Sequence, residues 1–149
     1  MKLKVGDKAP DFEAKIQTGE TIKLSDYHGK KVILYFYPKD NTPGCTAQSC
    51  NLRDNYEMLQ EQGFVVLGVS GDSEKSHVKF IEKQSLPFDL IADTEKEVHN
   101  LYGTWGEKQM YGKTYMGTLR TTFVIDEKGV ISEIIEKVKT KDHTAQIVG

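Results

Sequence analysis

The chain has 149 residues, of which 38% are hydrophobic and 28% charged, and its formal net charge is −2. This length supports one domain with its own hydrophobic core, and the composition excludes a disordered chain and a membrane span. Lysines and arginines are spread along the chain, which excludes the basic surface of a nucleic-acid-binding protein. We therefore expect a single domain over 1–149 that acts on a small molecule or a protein, with no nucleic acid and no membrane as partner.

The N-terminus is basic but has neither an apolar segment nor a cleavage site, so we predict no signal peptide and a cytoplasmic location. Thiols in that reducing compartment rarely form permanent disulfides. The two cysteines, Cys45 and Cys50, are therefore buried bystanders, metal ligands or redox-active groups.

Strand and helix signals alternate through the middle of the chain and end in hairpins on both sides. The apolar run Val32–Tyr37 indicates a buried central strand, and Gly63 suits the left-handed position after a helix. The predicted elements are strands over 12–16, 21–24 and 32–37, a helix over 42–62, a strand over 64–69, a helix over 73–84, a strand over 87–91, a helix over 95–102, and strands over 118–125 and 130–138.

Alternating strands and helices favour parallel βαβ units, and the terminal hairpins add antiparallel strands. The predicted class is therefore α/β with a thioredoxin-like fold, in which helices flank a mixed central sheet and an N-terminal β-hairpin precedes it.

The segment that carries chemistry lies between the central strand and the first helix. With Thr42 as N-cap, Pro43 occupies the first helical position and Cys45 the first turn. A thiol there experiences the positive end of the helix, which favours the nucleophilic thiolate.

The helical period places the two thiols on different faces. Cys45 shares a face with Gln48 and Leu52, whereas Cys50 shares a polar face with Arg53 and other charged residues. Five residues of ideal helix separate two Cα atoms by roughly 8.6 Å, whereas a disulfide needs about 4.4 to 6.8 Å. A bond between the two cysteines therefore requires the helix to unwind.

The pattern Pro38-x-x-x-Thr42-x-x-Cys45 resembles the active-site signature of the peroxiredoxins, and residues 42–50, TPGCTAQSC, are similar to its bacterioferritin-comigratory (PrxQ) branch. Further similar segments follow in the same order over nearly the whole chain: 5–12, 35–38, 69–70, 105–108 and 120–126. A final amphipathic helix, usual in that branch, has little chain left after His143.

The resemblance implies a peroxidase that reduces hydrogen peroxide or organic hydroperoxides. Cys45 would attack the peroxide and become a sulfenic acid, Cys50 would condense with it, and thioredoxin would reduce the disulfide. The resemblance also implies that Thr42 and Arg120 stabilise the reacting groups. Three further residues are expected to shape the pocket around Cys45 and to shield it from water: Pro38, Pro43 and Gly44.

The resemblance implies that the protein needs no cofactor and no metal. We expect it to be a monomer or a weak homodimer. Two other functions stay open from the residues themselves. A dithiol–disulfide oxidoreductase is one, although its usual signature is Cys-x-x-Cys. A copper-binding chaperone is the other, although His28, His77, His99 and His143 lack the spacing of a metal site and are predicted to be ordinary polar residues. Tyr102, Trp105 and Tyr111 are predicted to pack in the core.

Overall fold

We describe residues 3–149 of a computed structural model of the chain. The basic start Met1-Lys2, on which the expectation about a signal peptide partly rests, lies outside the described residues. Within the described part, the helices are all too short or too polar to cross a membrane.

Nine strands and five α-helices are present among residues 3–149. The strands are β1 (Glu13–Lys15), β2 (Thr21–Lys23), β3 (Lys31–Phe36), β4 (Phe64–Ser70), β5 (Asp89–Ala92), β6 (Trp105–Met110), β7 (Lys113–Thr118), β8 (Thr121–Ile125) and β9 (Ile131–Ile135). The helices are α1 (Pro43–Asp54), α2 (Tyr56–Glu61), α3 (Glu74–Gln84), α4 (Glu97–Tyr102) and α5 (His143–Val148), with a 3₁₀ turn at Leu24–Tyr27.

A five-stranded mixed sheet forms the centre, in the order β5-β4-β3-β8-β9. Strands β3, β4 and β5 run parallel, β8 pairs antiparallel with β3, and β9 pairs antiparallel with β8. Each face of the sheet covers one apolar cluster, which explains why β3 is buried almost throughout. The predicted thioredoxin-like α/β fold is confirmed.

The N-terminal hairpin differs from the prediction in one respect. Strands β1 and β2 pair with each other as a separate sheet and do not extend the central one. Their links to it include a bridge between Ile16 and Ile91 and the hydrogen bonds of the Gln17 side chain to Asp89 and Leu90 of β5.

The prediction of one continuous helix over 42–62 is wrong, because the helix is interrupted at Asn55 and forms α1 and α2. The Asn55 side chain donates to the carbonyl oxygen of Asn51 at 2.8 Å, and its backbone (φ −110°, ψ 10°) leaves the helical range. Asparagine competes in this way with the main-chain ladder. Gly63, at φ +86°, does follow the second helix in the left-handed region.

A second hairpin, β6–β7, has no counterpart in the predicted elements. Tyr111 and Gly112 both have positive φ at its two-residue turn, as type I′ hairpins require. The predicted core role of Tyr111 is wrong, because it is 97% exposed at this tip, whereas Tyr102 is buried. Gly112 was the available sequence signal for the turn.

Candidate active site

The loop after β3 and the first turn of α1 form the centre of the candidate site. Thr42 is the N-cap, with an extended backbone (φ −85°, ψ 152°), and Pro43 takes the first helical position, as predicted. The Thr42 hydroxyl donates to the carbonyl oxygen of Lys39 at 2.8 Å. Pro38 and Gly44 are half-buried beside this turn, and Pro43 is exposed.

Cys45 lies at the bottom of this turn and is 1% exposed. Arg120, the residue just before β8, reaches Cys45 with its guanidinium group: Nη2 is 3.2 Å from the Cys45 sulfur, and Nη1 donates to Oε1 of Gln48 at 2.6 Å. A Cβ on Gly44 would lie 3.5 Å from that Nη2, so the arginine passes directly over the turn. One cation is thereby fixed against the buried thiol.

The register of the sheet explains why Arg120 reaches a cysteine 75 positions earlier in the chain. Phe36, the last residue of β3, pairs with Thr121, the first of β8, so Arg120 lies beside the start of the active loop. The preceding residues are also anchored: Leu119 N–H donates to Thr104 at 2.7 Å, and Thr118 bonds the buried His99 at 2.9 Å. The resemblance to the peroxiredoxins implied that Arg120 lies near Cys45, whereas the local sequence patterns did not predict this contact.

Cys50 has a different environment, on the other side of α1. It is half-buried, and its sulfur is 3.4 Å from Oε1 of Gln84 on α3. Both cysteines are free and α1 is continuous from Pro43 to Asp54. The predicted separation of the two thiols on opposite faces of an intact helix is confirmed.

A buried network of hydrogen bonds around Asp40 holds the loop between β3 and α1 in place. Asp40 accepts bonds from the Tyr37 hydroxyl at 2.6 Å and from Ser76 at 2.8 Å, and its carboxylate is 2.8 Å from Nδ1 of His77. The N–H of Asp40 donates to Asp72 at 2.8 Å. Burial, followed by the neighbouring Tyr35 and Asp40, raises the pKa of Tyr37 well above its usual value, so the phenol remains a donor.

The prediction of ordinary polar histidines is wrong for three of the four: His77, His99 and His143 are fully buried. His77 precedes the buried Phe80 by three residues on α3, so helical spacing already placed it on the apolar face. Asp40, Asp72 and His77 form the one group within residues 3–149 whose ligand atoms are close enough for a metal ion. Both Asp40 oxygens, Oδ2 of Asp72 and Nδ1 of His77 already form the hydrogen bonds described above. These bonds fit a role in holding the active loop in place.

The short helix α5 closes the opposite side of α1. Asn51 joins the two: its Oδ1 accepts from Thr144 N–H at 2.8 Å and its Nδ2 donates to Lys141 at 3.1 Å. His143 is held between the Thr122 hydroxyl and Gln146. Burial lowers the pKa of His143, with a smaller opposing effect of the Gln146 bond and a further lowering by Arg120.

Comparison with known proteins agrees with this geometry. Residues 5–134 match the model of the AhpC/TSA family. Peroxiredoxin Bcp of Bacillus subtilis is 49% identical over 146 residues, covering 98% of this chain and 93% of the relative.

Solved structures superpose closely on the chain. A cysteine-to-serine mutant of PrxQ from Xylella fastidiosa has a TM-score of 0.93 at 31% identity, covering 99% of this chain and 94% of that one. A bacterioferritin comigratory protein of Xanthomonas campestris, described for its alkyl peroxide reduction activity, has a TM-score of 0.86 at 32% identity, covering 92% and 87%. The chain therefore belongs to the AhpC/TSA family, as a peroxiredoxin of the bacterioferritin-comigratory (Bcp, PrxQ) branch.

Proposed function

We propose that Cys45 is the nucleophile of this thiol peroxidase and that Cys50 resolves its product. The observation that carries the proposal is the Arg120 Nη2 donor, 3.2 Å from the buried Cys45 sulfur. A fixed guanidinium stabilises the thiolate, which is the reactive form of cysteine. Gln48 fixes the other guanidinium nitrogen at 2.6 Å, so the donor is held in place before substrate arrives.

In the first step, the Cys45 thiolate attacks the terminal oxygen of a hydroperoxide, ROOH. A sulfur–oxygen bond forms, the oxygen–oxygen bond breaks, and RO⁻ leaves and is protonated to ROH. Thr42 orients the peroxide in this proposal, which requires its hydroxyl to turn away from Lys39. Pro38, Pro43 and Gly44 shape the pocket around the reacting atoms.

In the second step, the Cys50 thiol attacks the Cys45 sulfenic acid, and a disulfide and water form. The two residues lie on different faces of α1, so the first turns of this helix must unwind beforehand. Local unfolding is thus part of each catalytic cycle. A thioredoxin then reduces the disulfide, restoring both thiols.

The cycle also bears on whether the enzyme needs a cofactor. The electrons come from the partner dithiol, so the enzyme needs no cofactor and no metal of its own. We propose that the chain forms one domain over 1–149 and acts in the cytoplasm as a monomer or weak homodimer.

A coupled assay with peroxide, thioredoxin, thioredoxin reductase and NADPH tests the two cysteine roles. Cys45→Ser is expected to abolish peroxide consumption. Cys50→Ser is expected to react once, which labelling of the sulfenic acid detects, and then to stop before thioredoxin can recycle it.

The two variants are matched controls, because each removes one sulfur from the same helix. A Cys45→Ser variant that still consumes peroxide would refute the nucleophile. Full thioredoxin-dependent turnover by Cys50→Ser would remove Cys50 from the cycle and leave the Cys45 assignment intact.

A further inference from the structure

The buried histidines differ in the groups that their ring nitrogens face. In His99, Nδ1 lies 2.6 Å from a carboxylate oxygen of Asp93, and Nε2 lies 2.9 Å from the Thr118 hydroxyl. A hydroxyl can donate as well as accept, so a neutral ring with one hydrogen satisfies both contacts. His143 likewise faces one amide oxygen and one hydroxyl. One ring hydrogen is therefore sufficient for each of these two histidines.

His77 has a different pair of partners. Nε2 lies 2.9 Å from the main-chain carbonyl oxygen of Ile91, which can only accept, so this nitrogen carries a hydrogen. Nδ1 lies 2.8 Å from Oδ2 of Asp40. If neither atom carried a hydrogen, two lone pairs would face each other at this distance and repel. The contact therefore needs a second hydrogen, either on Nδ1 of His77 or on Asp40.

The surroundings of Asp40 favour an ionised carboxylate and thus a protonated ring. The Tyr37 hydroxyl donates to Oδ1, and the Ser76 hydroxyl donates to Oδ2. Burial raises the pKa of Tyr37 well above its usual value, so this hydroxyl keeps its hydrogen. Hydrogen bonds from two or three donors stabilise a carboxylate in its charged form. The second hydrogen then lies on Nδ1, and the ring of His77 is an imidazolium.

A second carboxylate close to the ring supports the same charge. An oxygen of Asp40, an oxygen of Asp72 and a ring nitrogen of His77 all lie within 4.8 Å of one another. In the described part of the chain, neither aspartate forms an ion pair with a lysine or an arginine. The side chains of His77 and Asp40 are 0% and 2% exposed, so an uncompensated negative charge there would be strongly destabilising. A positively charged ring compensates it.

The contacts of Asp40 fix the chain directly before α1. Asp40 precedes the N-cap Thr42 by two residues, and its N–H donates to Asp72 at 2.8 Å. Asn41, between Asp40 and Thr42, has a φ of +62°, a conformation that residues other than glycine rarely adopt. Such a conformation persists only where the surrounding structure holds it. The position of the turn that carries Cys45 thus depends on how firmly Asp40 is held.

We infer that His77 is a positioning residue of the peroxidase reaction and acts as an imidazolium in a buried ion pair with Asp40. The pair ties the active loop to α3 and, through the Nε2 hydrogen bond to Ile91, to β5. It thereby keeps the first turn of α1 where Arg120 reaches the Cys45 sulfur. The inference rests on the proposed role of Cys45 as the nucleophile.

The charge of the ring can be tested by counting its hydrogens with nuclear magnetic resonance, using protein labelled with ¹⁵N in its histidines. Near neutral pH, both ring nitrogens of His77 are expected to carry a hydrogen in the wild type. Asp40→Asn removes the need for the second hydrogen, because the Asn amide donates to Nδ1 and to Ser76 while its oxygen accepts from Tyr37. In this variant, only Nε2 is expected to carry a hydrogen.

Rapid mixing with hydrogen peroxide tests the positioning role. His77→Leu leaves the Asp40 carboxylate without its partner, and the rate constant of Cys45 oxidation is expected to fall by about 10- to 100-fold, as it does when reacting groups are displaced. Asp40→Asn retains the shape and the hydrogen bonds of the network, so its rate constant is expected to stay close to the wild-type value. His28→Leu makes the same substitution at an exposed histidine and is expected to match wild type.

Three results would overturn the inference. A single hydrogen-bearing nitrogen on His77 in the wild type would refute the ion pair. A wild-type oxidation rate in His77→Leu would show that this residue does not position the loop. A loss in Asp40→Asn as large as that in His77→Leu would show that the charge of Asp40 acts on the reaction itself.

The count of ring hydrogens and the rate of Asp40→Asn decide the inference even if His77→Leu does not fold. The hydrogen count does not depend on which cysteine reacts. Failure of the Cys45 assignment is therefore distinguishable, since it appears as peroxide consumption by Cys45→Ser.

Discussion

The two cysteines of α1 lie five residues apart but are held by different parts of the molecule. The Cys45 turn is fixed by Arg120, the residue just before strand β8, which pairs with β3. The Cys50 turn is fixed by Gln84 of α3 and, through the adjacent Asn51, by the chain that leads into α5. In the proposed cycle, the first set of contacts serves the reaction with peroxide, whereas the second resists the unwinding that disulfide formation needs. The proposal thus assigns two separable functions to one helix.

The largest effect should come from the Cys45 side of this comparison. Arg120→Met removes the donor at the sulfur and is expected to lower the rate constant of oxidation by about 100- to 1,000-fold. Rapid-mixing kinetics with hydrogen peroxide measures the rate.

Arg120→Lys is the conservative control for this change. It retains the charge but cannot contact Cys45 and Gln48 together in the same geometry, so an intermediate rate is expected. Wild-type oxidation kinetics in Arg120→Met would show that the contact with the sulfur has no catalytic role.

A change on the Cys50 side should act on the second step instead. Asn51→Ala removes both side-chain hydrogen bonds to the segment around α5, and we expect it to lower the free energy of unfolding by about 1 to 3 kcal/mol. Because α1 then opens more easily, the sulfenic acid should convert to the disulfide faster, while Cys45 oxidation keeps its rate. Urea unfolding and quenched-flow mass spectrometry measure the two quantities.

Asn100→Ala is the matched control, since the Asn100 amide donates to the carbonyl oxygen of Lys96, the N-cap of α4, at 2.8 Å and is far from α1 in the chain. It should leave disulfide formation unchanged. Slower disulfide formation in Asn51→Ala would contradict the view that this contact resists unwinding.

The smallest effect concerns pH, through His143 at the start of α5. When the ring is neutral, Nδ1 donates to Oε1 of Gln146, which also accepts from Lys139 N–H, and Nε2 accepts from the Thr122 hydroxyl. The folded pKa is below the ordinary value of 6.5, mainly through burial. Below pH 6.5 the unfolded chain therefore binds the proton first, and the stabilisation present above that pH is lost as the pH falls towards the folded pKa.

Urea unfolding of the wild type and of His143→Gln at several pH values measures this contribution. The difference in stability between them should decrease as the solution becomes more acidic. A difference that is constant with pH would show that His143 does not titrate with folding.

Local sequence signals predicted the start of α1 and the faces of its two thiols, because an N-cap, a proline and the helical period act within a few residues. They did not predict the interruption at Asn55, where a side chain displaces the backbone ladder. The β6–β7 hairpin was also absent from the predicted elements, although Gly112 is a turn signal. His77 was assigned by its polarity, when its spacing to Phe80 indicated burial.

The sequence by itself determined that Cys45 lies at a helix start and that a disulfide to Cys50 requires this helix to unwind, since both depend on the covalent spacing of neighbouring residues. The tertiary structure alone decided which groups surround the sulfur. Arg120 depends on the β3–β8 register, and the Asp40–His77 support of the active loop depends on the packing of α3. Contacts between residues far apart in the chain follow from the whole packed fold, which no local pattern encodes.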